Sequence, residues 1–437
     1  QLVIKYMKQI IITENQYNVL NQEILKEAHS KVFDRDSAST EMKKIWSVID
    51  AKQKKLQDML FGELGEKLDE LTRAKVKLMG MEHLKVPDII CRAGNEKLPE
   101  GVLIINMSSS LMCPSFYLGL CQIKDGACYA QRAENQYTNT VLPQRFQTDL
   151  MHTQMLSQYK KGNKQPMKEY FRLIELYIQL SNKYASDACK NAVIQLERKL
   201  KRPLTPEELN IITIEHSKEK ITDVRLNETG DFHCQDAVNL WAKFAQKIKK
   251  KYSIDTHAYT ARYLDFTQAS NHINMNYSHG GQYKGETYQP RYFKAVSDEQ
   301  FDSLPDVSLD KEGQPILGTD RWGNKYYKCP CSEEESKCDM CGICFKPNET
   351  NEPYVIYVKY HGQKNASGLK GAFTRNEIKP IVDFYKNSGW ATDAESRIAS
   401  SKTTKERLDD FSKNIERLRK QSPKKKRKKT KKSAKKK

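Results

Sequence analysis

The sequence predicts an α/β chain: a core of parallel βαβ units, preceded by helices, interrupted by a helical insertion and followed by a cysteine-rich metal-binding segment. Three observations carry this. Between residues 102 and 278 short apolar runs alternate with amphipathic helical stretches, the pattern of strands joined by crossover helices. Long stretches with apolar residues three to four apart lie on both sides of the first strand. Eight of the eleven cysteines fall in two tight groups, 113–128 and 329–344.

Residues 1–84 read as an N-terminal helical region. Ile45, Ile49, Leu56, Leu60, Leu64, Leu68 and Leu71 form its apolar stripe, and Gly62 and Gly65 weaken or bend the run. Such a stripe packs internally or binds a protein partner. The α/β core spans 85–300. An irregular stretch with Pro87, Gly94 and Pro99 leads to the buried strand VLIIN (102–106), and the first cysteine cluster follows at once. Residues 146–218 form the helical insertion. Tyr170, Leu173, Ile174, Tyr177 and Ile178 share one face, and Thr205, Pro206 and Glu208 mark a capped helix start. Strands follow at 221–227, 254–261 and 272–278. They are separated by a helix over 234–251, whose basic end suits the macrodipole, and a short helix from Tyr263 to Ala269. Residues 301–400 hold the second cysteine cluster, a strand at 354–361 and a helix from Asn376 to Ser388. Residues 401–437 give a charged helix, Lys402 to Lys420, and a tail.

The net charge is +19, and residues 424–437 carry eleven Lys or Arg with no acid. This tail cannot pack and is expected to be disordered, binding nucleic acid or another polyanion through counterion release, or else merely to solubilise. No run approaches the 18 apolar residues of a membrane span, so no membrane partner is expected. QLVIKYMKQIII lacks a signal-peptide cleavage site, and Met7 is the expected start of the natural chain. Clustered cysteines without a secretion signal point to metal or iron–sulfur ligation in a reducing compartment, the cytoplasm.

Seven residues separate Cys113 from Cys121 and six separate Cys121 from Cys128. Three thiolates hold a [4Fe–4S] cluster by three irons and leave the fourth open, or hold zinc with a fourth ligand from elsewhere. Three buried free thiols are the alternative, with Cys128-Tyr129-Ala130 starting a helix. In the second group Cys338, Cys341 and Cys344 form CxxCxxC with Cys329 as the distant fourth, which suits an iron–sulfur cluster or a four-cysteine zinc site; Cys331 is spare or a substitute. Parallel sheets bind ligands at the carboxyl ends of their strands. The first cysteine cluster, Gly230-Asp231 and Tyr259 to Arg262 all fall there. Asp231 is read as holding a polar substrate group or capping a helix. His257, on the side of Tyr259, reads as a core or surface histidine.

The segments MSSSLMCP…C…CYA (107–130), VRLNETGDF (224–232), HAYTAR (257–262), INMNYS (273–278) and CP…C..CGIC (329–344) together resemble the phage gene product eighty-eight family. The Cys…Cys…Cys-Tyr-Ala pattern and the Gly-Asp after a later strand also resemble radical S-adenosylmethionine enzymes, whose triad is more tightly spaced. The resemblance implies a partial or full (β/α) barrel in the host cell cytoplasm. It implies Cys113, Cys121 and Cys128 as ligands of a cluster that binds S-adenosylmethionine, and Cys329, Cys338, Cys341 and Cys344 as a second metal site. Gly230 and Asp231 would then bind cofactor, and Asp231, Tyr259 and Arg262 would line the catalytic pocket. Against this enzyme stand a non-enzymatic, zinc-stabilised nucleic-acid-binding protein and a virion or complex component.

Overall fold

A computed structural model describes residues 38–62, 68–80, 83–87, 90–95, 98–120, 130, 134, 141–278, 291–311, 313–330, 338–347, 353–359, 375–401, 404 and 406. Its centre is one mostly parallel sheet. The strands are β1 (Arg92–Ala93), β2 (Val102–Ile105), β3 (Asp223–Leu226), β4 (Asp255–Thr260), β5 (Asn274–Ser278), β6 (Arg291–Val296), β7 (Gly318–Thr319), β8 (Lys325–Lys328) and β9 (Tyr354–Lys359). They lie in the order β1-β2-β3-β4-β5-β6-β9-β8-β7. Every pairing from β2 to β8 is parallel; β1 and β7 add antiparallel edges.

The period of two along each strand gives the sheet two different faces. Leu103, Ile105, Val224, Leu226, Ala258, Met275 and Tyr277 point to the face that packs on the helices. Val102 and Ile104 point the other way, against Cys338 and Phe345. Tyr354 and Ile356 do the same against Ile343, Cys341 and Cys344. The cysteine-rich segment therefore lines the inner face, opposite the helices.

Topology explains that placement. From β2 to β6 the sheet winds in one direction, and the crossovers β2–β3 and β3–β4 run on the helix face. From β8 to β9 it winds back toward β6. A right-handed crossover with the winding direction reversed must run on the opposite face. The segment joining β8 to β9 carries Cys338 to Cys344, so the handedness rule delivers these thiols to the inner face.

Helices α1 (Thr40–Phe61), α2 (Glu70–Met79), α3 (Val141–Lys160), α4 (Gln165–Leu200), α5 (Pro206–Ser217) and α6 (Gln235–Tyr252) precede β4; α7 (Arg375–Asn387) and α8 (Asp393–Ser400) follow β9. The chain leaves α1 at Gly62, as the glycine predicts. The stripe Trp46, Ile49, Leu56 and Leu60 is buried with Leu173, Ile174 and Ile178 of α4 in the core under the sheet. The stripe that the sequence offered to a partner is therefore spent inside, each such side chain contributing about 1.5–3 kcal/mol. The region 1–84 and the insertion are accordingly not separate bodies where they are described: α1, α2, α3 and the first half of α4 join the core of the sheet. Only the tip, with Ala192, Leu196, Leu204 and Ile212, forms its own small cluster. The capping box at α5 is present: Glu208 N donates to Thr205 Oγ1 (3.3 Å) and Thr205 N to Glu208 Oε2 (2.9 Å).

The helix expected from Tyr263 to Ala269 does not form. Asp265 Oδ1 accepts Thr267 N (2.9 Å), and Gln235 bonds both the N–H and the C=O of Asp265 at 2.8 Å. These bonds hold the backbone in turns, with only a 3₁₀ turn at Ala269–Asn271. The charged helix and tail, Lys402 onward, lie outside the described residues apart from Thr404 and Glu406. No helix among the described residues is long and apolar enough to cross a membrane.

Candidate functional site

The loops leaving β2 and β3 are zipped together at the carboxyl end of the sheet. Asn227 takes a left-handed turn (φ 59°) and its N–H reaches Ile105 O at 3.0 Å. Thr229 N donates to Asn106 Oδ1 (2.9 Å), Thr229 Oγ1 to Ser108 O (2.9 Å) and Met107 N to Thr229 O (3.3 Å). Gly230 has φ 82°, and a Cβ on it would stand 2.5 Å from Ser108 N and closer still to Ser108 Oγ. The glycine is required by this close approach of two loops; the space beside it is filled by Ser108.

Cys113 follows directly and is half-buried. Its loop is fixed by Glu134, which accepts Ser110 N (2.9 Å) and Ser110 Oγ (2.6 Å) and pairs with Arg145 Nη1 at 3.1 Å. Burial raises the pKa of Glu134, with Arg145 opposing. Cys121 and Cys128 lie outside the described residues. On the next loop Glu228 accepts Arg92 Nη2 (2.6 and 2.7 Å) and Asn95 Nδ2 (2.6 Å). Burial works to raise its pKa, but Arg92, Arg225 and Arg145 outweigh it, so the net shift is downward.

Asp231 is wholly enclosed. Its Oδ1 accepts Thr260 Oγ1 (2.6 Å) and Phe232 N (2.8 Å); its Oδ2 accepts Ser115 Oγ (2.7 Å) and Ala261 N (2.8 Å). Burial raises its pKa against these bonds. The N-cap of α6 is Cys234, so Asp231 caps no helix. Arg262 is equally committed: Nε and Nη2 bind Glu395, Nη1 bonds His233 O (2.9 Å) and Nη2 bonds Trp390 O (2.8 Å). Asp231 ties the Cys113 loop to the end of β4, and Arg262 ties β4 to α8. In this arrangement both act as positioning groups, with their polar atoms turned to protein.

The pocket expected from Asp231, Tyr259 and Arg262 is split by the strand period. Thr260, on the helix face, bonds Asp231; Tyr259 points to the inner face. There the Arg225 guanidinium lies 4.8 Å from the Tyr259 ring and Phe293 meets it edge-on at 5.1 Å. Burial and then Cys344 push the Tyr259 hydroxyl well above its ordinary pKa. A shallow cleft lies instead at the ends of β4 to β6, lined by residues 260–264, Tyr277, Ser278 and Tyr292.

Four carbonyls of the second cysteine segment are held from the inner face. Asn274 Nδ2 donates to Phe345 O, Asn276 Nδ2 to Cys344 O (3.1 Å), and Arg291 Nη1 to Ile343 O and to Lys346 O (2.7 Å). The His257 ring stacks on Phe345 with centroids 4.5 Å apart. Tyr327 Oη lies 3.7 Å from Cys341 Sγ. Burial, then Cys329 and Cys341, push the Cys344 thiol up to about 12. The donor chemistry fits a soft metal: Cys329, Cys341 and Cys344 border one apolar cluster, and a bound cation would reverse the cost of burying thiolates. Among the described residues, no three His, Cys, Asp or Glu side chains stand in an arrangement that holds a metal.

Sequence reasoning missed a buried polar group behind Cys113. Lys75 Nζ of α2 pairs with Asp149 of α3 at 2.8 Å and donates to Thr153 Oγ1 (3.0 Å); His233 Nε2 reaches Asp149 Oδ1 at 3.1 Å. Lys75, Asp149 and His233 are 0 % exposed. Their only signal in the sequence is a charged residue on an otherwise apolar helix face. No protein-family model matches the chain, nor does any curated protein or solved structure.

Proposed function

We propose that this chain is an iron–sulfur enzyme of the radical S-adenosylmethionine type, related to the phage gene product eighty-eight family. It would be built on a partial (β/α) barrel and act on a nucleic acid, nucleotide or protein substrate. One observation carries the reading. Six parallel strands stand side by side, five of them in chain order as barrel staves are, and half-buried Cys113 lies just past the first, on a loop interlocked with the Gly230-Asp231 loop of the second. Antiparallel edge strands make the barrel partial.

On this reading Cys113, Cys121 and Cys128 hold the cluster. When bound, the cluster supplies one electron to the sulfonium of S-adenosylmethionine. The chain's own residues set the stage for it. Glu134 and Arg145 fix the turn that presents Cys113. Asp231 binds Ser115, two residues beyond that cysteine, to the end of β4. Cys329, Cys338, Cys341 and Cys344 form a second site for iron–sulfur or zinc. The test is reconstitution with iron and sulfide without oxygen. A brown protein is expected, whose reduced electron-spin signal changes with S-adenosylmethionine and disappears in Cys113→Ala/Cys121→Ala/Cys128→Ala. A colourless protein holding zinc at the first cluster would overturn the reading.

A second reading is favoured by the commitment of Asp231 and Arg262 to protein partners: a zinc-stabilised nucleic-acid-binding protein without catalysis, or a virion component. Here the tail carries affinity. Deleting Lys424 to Lys437 then weakens nucleic-acid binding at low salt and flattens its salt dependence. Unchanged affinity and slope exclude the tail as the binding element.

A further inference from the structure

Arg291 is a buried cation without an anion. It is 2 % exposed on the inner face of β6. Its Nη1 donates to the carbonyls of Ile343 and Lys346, and its Nε has no hydrogen-bond partner among the described residues. No carboxylate lies within ion-pair distance of it among the described residues; the groups that feel its charge are Cys344, Tyr354 and His257. His257 is 0 % exposed, and neither ring nitrogen has a hydrogen-bond partner among the described residues; nor has Asn276 Oδ1. Buried polar atoms are nearly always satisfied, and a buried charge is normally paired. Four such orphan atoms around residues 343–346 mark a place where a charged group is missing.

The inner face also carries Arg225 on β3, whose charge is shared with Glu228. Opposite the two guanidinium groups stand cysteines. Neutral thiols bring no charge to meet a buried guanidinium. A divalent metal held by four thiolates is a dianion. Its formation is balanced by release of one proton from each thiol to solvent.

We infer that Arg291, seconded by Arg225, is the counter-ion of an anionic four-thiolate centre built from Cys329, Cys338, Cys341 and Cys344. It seats that centre on the sheet through the carbonyls of Ile343 and Lys346. The inference rests on reading these four cysteines as one metal site. It adds that the sheet, and not the cysteine segment alone, sets the site's affinity. It also makes the inner face a metal seat, so that substrate approaches from the strand ends.

The experiment uses the full chain with zinc alone as probe, titrated against a chromophoric chelator. Cys341→Ser/Cys344→Ser should lose one zinc equivalent. Arg291→Gln, which can still hydrogen-bond a carbonyl, should bind zinc about ten- to hundredfold more weakly, the usual effect of removing an outer partner. Arg291→Lys, which keeps the charge, should retain most of the affinity. Melting gives an independent sign. In chelator the Gln variant should melt at or above wild type, because an unpaired buried charge is gone; with zinc it should melt below. If Gln and Lys lose affinity equally, or Gln melts lower in both conditions, Arg291 only ties the segment down and the counter-ion role falls while the metal site stands. If the cysteine variant holds as much zinc as wild type, the metal site itself falls and the inference with it.

Discussion

Arg262 and Glu395 form a two-pronged ion pair, Nε to Oε1 at 2.7 Å and Nη2 to Oε2 at 2.9 Å, with both side chains fully buried. Glu395 is also the third residue of the capping box of α8 and accepts Tyr263 N at 2.8 Å. One carboxylate thus caps a helix and docks it on the end of β4. Arg262→Met leaves that carboxylate enclosed without its cation, which costs about 3–5 kcal/mol. Burial works to raise the pKa of Glu395, but Arg262 overcomes it and holds it below the ordinary range. The pair's contribution is therefore present above the unfolded carboxyl pKa and is lost as pH falls through the folded one. Denaturant titration of wild type and Arg262→Met should show the loss, and proteolysis should open α8 first.

Lys75 and Asp149 make a second buried pair, 0 % exposed on both sides. Lys75→Met should destabilise by about 3–5 kcal/mol because Asp149 keeps its charge in the core. Adding Asp149→Asn, which leaves an acceptor for His233 Nε2, should recover part of that loss. A double-mutant cycle by chemical denaturation measures the coupling. Strictly additive losses would show that the two side chains do not act as a pair.

Gly230→Ala places a methyl against Ser108 at a left-handed φ, so it combines overlap with backbone strain. A cost of roughly 1–3 kcal/mol or more is expected. Gly80→Ala is the control: φ is 60° but nothing lies within 4 Å of the new methyl, so about 1 kcal/mol of strain remains. Thermal melts of the two variants should separate the terms. Equal losses would mean that the β2 and β3 loops are not locked together.

Acid should destabilise the protein early. Burial, then His233 and Lys75, hold His152 well below its ordinary pKa; burial also lowers His233, against the pull of Asp149. The unfolded chain takes up those protons near pH ~6.5 while the folded chain does not. Stability is intact above that value and falls below it, by up to about 1.4 kcal/mol per pH unit for each histidine. Asp223 acts in the other direction. Burial, with Asp255 adding, pushes its pKa to about 6, so the folded state gains stability from protonating it as pH falls through that value. Asp223→Asn should therefore raise stability at neutral pH and steepen its loss below pH ~6. Urea midpoints measured from pH 8 to 4.5 check both signs.

The elements legible in the sequence were those with a local signature. VLII at 102–105, the strands near 223, 255 and 274, the helix at 235–252 and the Thr205–Glu208 box carry their own periodicity or caps. β6 was not legible: RYFKAV lacks clean alternation and becomes a strand by pairing with β5 and with β9, far along the chain. Strand ends located the first cysteine loop and the Gly230 turn. They could not reveal that Glu395 occupies Arg262, or that Arg291 faces Ile343, because those contacts join segments more than fifty residues apart. The alternation of Tyr259 and Thr260 was readable, yet their adjacency in HAYTAR suggested one pocket where the pleat makes two.

The place of β9 between β6 and β8 has a consequence for synthesis on the ribosome. β6 is finished early but lacks its neighbour until Tyr354–Lys359 has emerged, so the nascent chain carries a bare strand edge through the making of both cysteine-rich flanks. Translation products truncated before Tyr354 should stick to one another or to chaperones, whereas those ending just past Lys359 should release. The last strand to be made is the one that closes the sheet.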